Sequence, residues 1–343
     1  MTTKNEEPDA VSLTPCFRGV FAHAQAFLTI LTVCLSATAA EPLKLVQTIS
    51  LPGVKGRFDH FSIDLKGNRL FVAALGNNTV EVLDLAAGNR IHGLTDMSKP
   101  QGVLFLAQRN ELAVANGDDG TLKILDAATF TVKHKLTDMP DADNVRLDPH
   151  TGETWVGYGD GALARVLPGM HQGAIKLAGH PESFQLETQG HRLFANVPDA
   201  KQIAVIDTKK DSVLTTWPMQ KFQANFPMAL DESNHRLFIG CRKPARLVVL
   251  DTENGKPVQD LAISGDTDDL FYDAKRKRIY ISCGEGFINI ISQQSPDTYN
   301  PLTKIQTSPG ARTCFFSPDL DRLDLAVPDR GNQKAEIRVY QPE

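Results

Sequence analysis

The chain has 343 residues, 41% apolar and 22% charged, the balance of an ordinary globular protein rather than a disordered or fibrous one. A formal net charge of −5 gives no basic footprint, which argues against nucleic acid or an anionic membrane surface as a partner.

The first sustained apolar run is Ala26 to Ala40, AFLTILTVCLSATAA. It is too short to cross a bilayer comfortably, and Ala37-Thr38-Ala39 ahead of Glu41-Pro42 suits cleavage by signal peptidase. Residues 1–40 are therefore expected to be a leader and 41–343 the mature domain, periplasmic or secreted, with no stable membrane insertion once the leader is removed. The region before the run is long and carries only Lys4 and Arg18 as positive residues, so the true start is expected downstream of Met1. Val33 before Cys34 departs from the small residue that a lipoprotein signal prefers.

Leu43–Leu51, LKLVQTISL, reads as a strand with no repeat of its own. From Gly67 the chain then rewrites one pattern. GNRLFVAALGNNTVEVLDL (Gly67–Leu85) is a turn, an apolar strand, a polar loop and a second strand. Versions follow from Asn110, Gly152, Gly190, Asn234, Lys277 and Leu320, making seven copies. The marker residue after each turn is Leu70, Leu112, Thr154, Leu193, Leu237, Ile279 and Leu323, in steps of 42, 42, 39, 44, 42 and 44. A period of that length built from short strands predicts β-propeller blades.

The predicted fold is all-β: a seven-bladed β-propeller of four-stranded antiparallel blades. In the first blade the strands are expected at His60–Asp64, Leu70–Ala74, Thr79–Leu85 and Asn89–Leu94. The chain has one spare strand at its start and stops after a third strand at its end. A ring stays shut only if its free edges are joined, so the N-terminal strand is expected to complete the last blade by pairing with Glu336–Tyr340. The segment Gln293–Lys304 reads as a long connection between third and outer strands. Two of five cysteines, Cys16 and Cys34, fall in the leader. Cys241 and Cys283 hold the same place in neighbouring repeats, where packing between blades is favoured over a bridge or metal pair.

The phrases LFVAALGNNTVEVLDL, KPQG, IAVIDTKKDSV and LVVLDTENGK resemble the repeats of YVTN-type, YncE-like secreted propellers over essentially all of the mature chain. That resemblance implies an exported bacterial protein, often a binding or interaction module. It says more about fold than function, because this architecture hosts unrelated activities.

Loops that enter the inner strands, and loops between second and third strands, share one face around the channel mouth, where ligands tend to bind. Eleven residues before each marker stand Asp59, Gln101, Asp143, Glu182, Phe226, Asp268 and Arg312; one residue later stand His60, Gly102, Asn144, Ser183, Pro227, Asp269 and Thr313. The resembled repeats usually carry glycine in the second column, and His60, Asn144 and Asp269 depart from that. The expected ligand-binding set is Asp59, His60, Gln101, Asp143, Asn144, Glu182, Asp268, Asp269 and Arg312, with Arg312 the sole cation of its column. Asn116, Asp118, Tyr158, Asp160, Asp199, Glu285, Asp329 and His180 are expected around them. Close carboxylates raise one another's pKa or recruit a cation, so calcium or magnesium on Asp143, Glu182 and Asp268 is one expectation. Polar loop residues also simply meet solvent or cap backbone N–H groups.

No nucleophile elbow, phosphate-binding turn, zinc spacing or haem attachment motif is present. Two functions stay open: binding of a small polar ligand or a partner protein at the mouth, or metal-dependent hydrolysis of the lactonase kind with His60 moving the proton. A monomer is expected.

Overall fold

Each repeat folds as a blade because its middle strands are buried on both faces, whereas its outer strand is largely exposed. In the first blade, Leu70 to Ala74 are all buried, as are Thr79 to Leu83, while Asn89–Leu94 is mostly exposed. A strand covered on both faces reads as a continuous apolar run rather than an alternation. The computed structural model describes residues 41–167 and 170–343; the expected leader, with Cys16 and Cys34, lies outside the described residues.

Seven four-stranded antiparallel sheets form a seven-bladed β-propeller, and in six of them the strands lie in chain order. The inner strand of the first blade begins at Phe61, one residue later than expected. His60 instead uses its backbone to tie blades together: its N–H donates to Gln101 and its carbonyl accepts from Ala73.

The recurring Asp at the end of the third strand has a local cause. The Asp84 carboxylate accepts from the N–H groups of Ala86 and Ala87, and Asp126 and Asp207 do the same for the two residues that open their own turns. Such side-chain turns reverse the chain into the outer strand.

The seventh sheet is sewn from both ends of the domain. Leu43–Ser50 pairs antiparallel with Glu336–Pro342, from Leu43 opposite Pro342 to Ser50 opposite Glu336. Ile49 and Leu51 then pack with Leu70 and Val72 of the first blade and with Ile337 and Val339 of the last. Seven apolar clusters are found, each spanning a junction between neighbouring blades. An open fan of seven blades has six such junctions, so the seventh cluster closes the ring.

One expectation is corrected. Gln293–Lys304 is not a long loop, because the strands Phe287–Ser295 and Thr298–Gln306 extend through it and meet at Pro296-Asp297. Tyr299, fully buried, anchors that hairpin against Gln259 of the preceding blade. Cys241, Cys283 and Cys314 are buried free thiols, and the first two sit in different junctions as packing residues. Among the described residues no helix is long and apolar enough to cross a membrane.

Gly102 shows why glycine suits the top of an inner strand. A Cβ there would lie 2.1 Å from the backbone carbonyl of Asp143 in the next blade. Gly102→Ala is expected to cost roughly 2 kcal/mol or more, in the range of a core overpacking defect. Urea unfolding of the variant checks this; unchanged stability contradicts so close an approach of the inner strands.

Candidate functional site

Backbone pairing concentrates chemistry at one end of the ring. The residue entering an inner strand donates its N–H to the second strand of its own blade: Asp59 to Ala73, Asp143 to Gly157, Glu182 to Asn196. These bonds turn the column side chains toward a cavity of about 180 Å³ at the channel mouth. Asp59, His60, Gln101, Asp143, Asn144, Glu182 and Asp268 line it.

Two expected members stand elsewhere. Asp269 lines the channel beneath, where one oxygen accepts from the Cys314 N–H at 2.9 Å. Arg312 turns away to pair with Asp266 at 2.9 Å and does not line the mouth. Nor is the mouth as poor in cations as expected, since Arg57, Lys99, His180 and Arg242 line it. Three of these share a sequence signal that the two columns overlooked. Two residues further back lies a third column, Arg57, Lys99, Asp141, His180, Ala224, Asp266 and Gly310, on the same side of an extended backbone. Arg242 comes from the second strand of the fifth blade, where it pairs with Asp268 and stacks 3.9 Å from the centre of the Phe226 ring. Of the other expected neighbours only His180 lines the cavity. Asn116 and Glu285 serve loop backbones instead, accepting from Ser98 and Gly265.

His60 is the hub. Its Nε2 lies 3.7 Å from Asp59 and 3.8 Å from Asp143, and its Nδ1 lies 3.6 Å from Asp269. The imidazole of the first blade thus reaches carboxylates of the third and sixth blades across the channel axis. Burial opposes its charge, but Asp269, Asp59 and Asp143 outweigh that and raise its pKa to about 10. His180 behaves alike: its Nδ1 donates to the Gly159 carbonyl at 2.8 Å and its Nε2 faces Asp143 at 3.7 Å. A carbonyl only accepts and a carboxylate wants a donor, so both nitrogens carry protons. Against the pull of burial, the partnership with Asp143 raises its pKa to about 9.

The acids respond in opposite ways. Burial works against the Asp143 charge, yet His180 and His60 hold it below the usual range. Burial, reinforced by Asp143, pushes Glu182 up to about 8. Burial also raises Asp59 to about 7, despite His60. At neutral pH a firm carboxylate, Asp143, therefore shares the mouth with a carboxyl held mostly protonated, Glu182.

Among the residues lining the mouth, two buried acceptors, Asp143 Oδ1 and Asn144 Oδ1, have no hydrogen-bond donor, although Asp143 Oδ1 faces the His60 Nε2 at the longer ion-pair distance of 3.8 Å. A buried acceptor left unpaired costs about 1–3 kcal/mol, so their presence side by side signals a missing donor. Of the carboxylates Asp143, Glu182 and Asp268, Asp268 pairs with Arg242 and Asp143 faces two imidazoles. Among the described residues no group of three or more His, Cys, Asp or Glu side chains is arranged to hold a metal ion.

No family model matches the chain, and no curated protein matches its sequence. Among solved structures it is similar to a chain from a crystal structure of the mitotic checkpoint complex, with TM-score 0.74 and 15% identity over 96% of this chain and 98% of that one. It is also similar to Kuenenia stuttgartiensis hydrazine synthase, with TM-score 0.72 and 14% identity over 84% of this chain and 98% of that one. At such identities the likeness is one of fold, and one neighbour belongs to a protein assembly while the other is named as an enzyme.

Proposed function

We propose that the protein is a binding module whose channel mouth takes a small polar ligand bearing a cationic nitrogen. The observation that carries this reading is the pair of acceptors without a hydrogen-bond donor, Asp143 Oδ1 and Asn144 Oδ1, in one cavity with the partly buried Glu182 carboxyl. An ammonium or amidinium group supplies N–H donors to both and draws Glu182 into its charged form. The resemblance to secreted YVTN-type repeats supports a binding role. It also supports an exported, periplasmic location.

The hydrolase reading finds less support in the same residues. A base must start unprotonated, and a His60 with a pKa near 10 starts as an imidazolium at neutral pH. Its three carboxylate neighbours hold it as an imidazolium.

Ethylammonium and 1,4-diaminobutane are suitable probes, with acetate as the opposite charge. Calorimetric titration at pH 7 should show amine binding with release of a proton from Glu182, seen as a heat that changes with the ionisation enthalpy of the buffer. Asp143→Asn should weaken binding at least tenfold, and Glu182→Gln should abolish the proton release. Acetate binding as well as the amines, or an Asp143→Asn variant of unchanged affinity, contradicts the proposal.

A further inference from the structure

Below the mouth, the inner strands of all seven blades enclose a channel cavity of about 490 Å³, the size of a small-molecule site. His60 and Ser183 line both spaces, so His60 forms the partition between them. Eight residues before each marker lies a ring that faces this channel, one residue per blade: Ser62, Leu104, Arg146, Gln185, Ala229, Phe271 and Phe315.

That ring is two-sided. In a sevenfold circle the positions opposite the third blade belong to the sixth and seventh. Arg146 on the third therefore faces Phe271 and Phe315, whose rings meet edge to face at 5.8 Å. Phe61 stacks behind Phe315 at 6.4 Å and thickens the apolar wall.

Arg146 has an unused hydrogen-bonding capacity. Its Nη1 donates to its own neighbour's carbonyl, Val145, at 3.0 Å, and the guanidinium lies 5.8 Å from the Phe184 ring centre. Among the described residues it makes no ion pair, and Asp269 and Asp143 act on it only from longer range. The other charged groups facing that space are His60 and Asp269, and these are occupied with each other at 3.6 Å. A guanidinium carries five donors in a planar fork that matches a carboxylate, and desolvating it without such a partner is unfavourable.

We propose that this channel is a second site, distinct from the mouth, for a small aromatic or apolar carboxylate. Its anionic head pairs with Arg146 and its ring lies against Phe271 and Phe315. The polarity is opposite to that of the mouth, where acceptors await a cation, so the two sites stand or fall separately.

Benzoate, and benzamide as its neutral equal in shape, are the probes. Calorimetry or saturation-transfer NMR on the wild-type chain should show benzoate binding at least tenfold tighter than benzamide. Arg146→Met should erase that preference, and Arg146→Lys should retain part of it. Phe315→Leu should weaken both probes together. Equal affinity for the two probes, no benzoate binding, or full preference in Arg146→Met overturns the proposal. The benzoate-to-benzamide comparison needs no variant, so it decides the matter even if Arg146→Met does not fold. Failure of the amine probes at the mouth leaves this result untouched.

Discussion

Deletion of residues 41–52 is expected to leave a protein that does not hold its native fold at room temperature. The segment supplies the whole outer strand of the last blade, and Leu43, Ile49 and Leu51 are each about 1% exposed. Burying three such side chains is worth roughly 1.5–3 kcal/mol apiece, or about 5–9 kcal/mol in all. That compares with about 5–15 kcal/mol for the total stability of a domain. The loss also uncovers the ladder edge of Glu336–Pro342 and opens the cluster shared by first and last blades. A graded version is Ile49→Ala, with an expected cost of about 2–5 kcal/mol. Chemical unfolding of both proteins checks the claim. A deletion variant that melts like the full chain contradicts ring closure by this strand.

The second large effect concerns His60. Replacing it by Gln removes the one cation shared by Asp59, Asp143 and Asp269, leaving Asp59 only its pair with Arg57 and Asp143 only its pair with His180, and breaking a buried charge set in this way typically costs about 3–5 kcal/mol. The pH dependence follows from linkage. His60 has a pKa of about 10 in the folded chain against 6.5 for the free side chain, so its contribution is complete below about pH 6.5 and disappears as pH climbs through 10. His180 acts in the same direction, through about 9. Asp59 and Glu182 have raised values, about 7 and about 8, against 3.8 and 4.5. The folded state thus grips their protons more tightly, and stability again falls as pH rises through those windows. All four groups make the mouth less favourable from about pH 4 to pH 10. Asp143, held low, contributes the other way, losing its stabilisation only in acid. Urea unfolding from pH 6 to 10 should show a steep decline for the wild type and a shallower one for His60→Gln. Parallel curves for the two proteins contradict the network.

Most of the fold was legible because repetition multiplies a weak signal. One blade of short strands is ambiguous, but seven markers about 42 residues apart are not. The spare strand at Leu43 and the missing one after Tyr340 even showed where the ring shuts. The insertion at Gln293–Lys304 was misread because its polar residues and Pro296 resemble a loop; pairing in the sheet overrode local propensity.

The site was legible only along the backbone. Columns eleven and ten residues before the markers bring seven of their nine expected residues to one cavity, since strand geometry fixes where a Cα lies. It does not fix where a long side chain ends. Arg312 has the right column and the wrong direction, drawn off by Asp266. Arg242 comes from a second strand and reaches the mouth through its length, guided by Asp268 and the Phe226 ring. Arg146 is not legible in the sequence, because a single charge inside an inner strand has meaning only once the ring around it is known.

The measurement closest to the core of this account is an NMR titration of the His60 imidazole, with labelled histidine and the His60→Gln variant for assignment. If seven blades bring Asp59, Asp143 and Asp269 to one ring, both nitrogens stay protonated at pH 8 and the midpoint falls near 10. A midpoint near 6.5, the value of an isolated side chain, would mean that the carboxylates do not converge there, and the binding site proposed at the mouth would go with them.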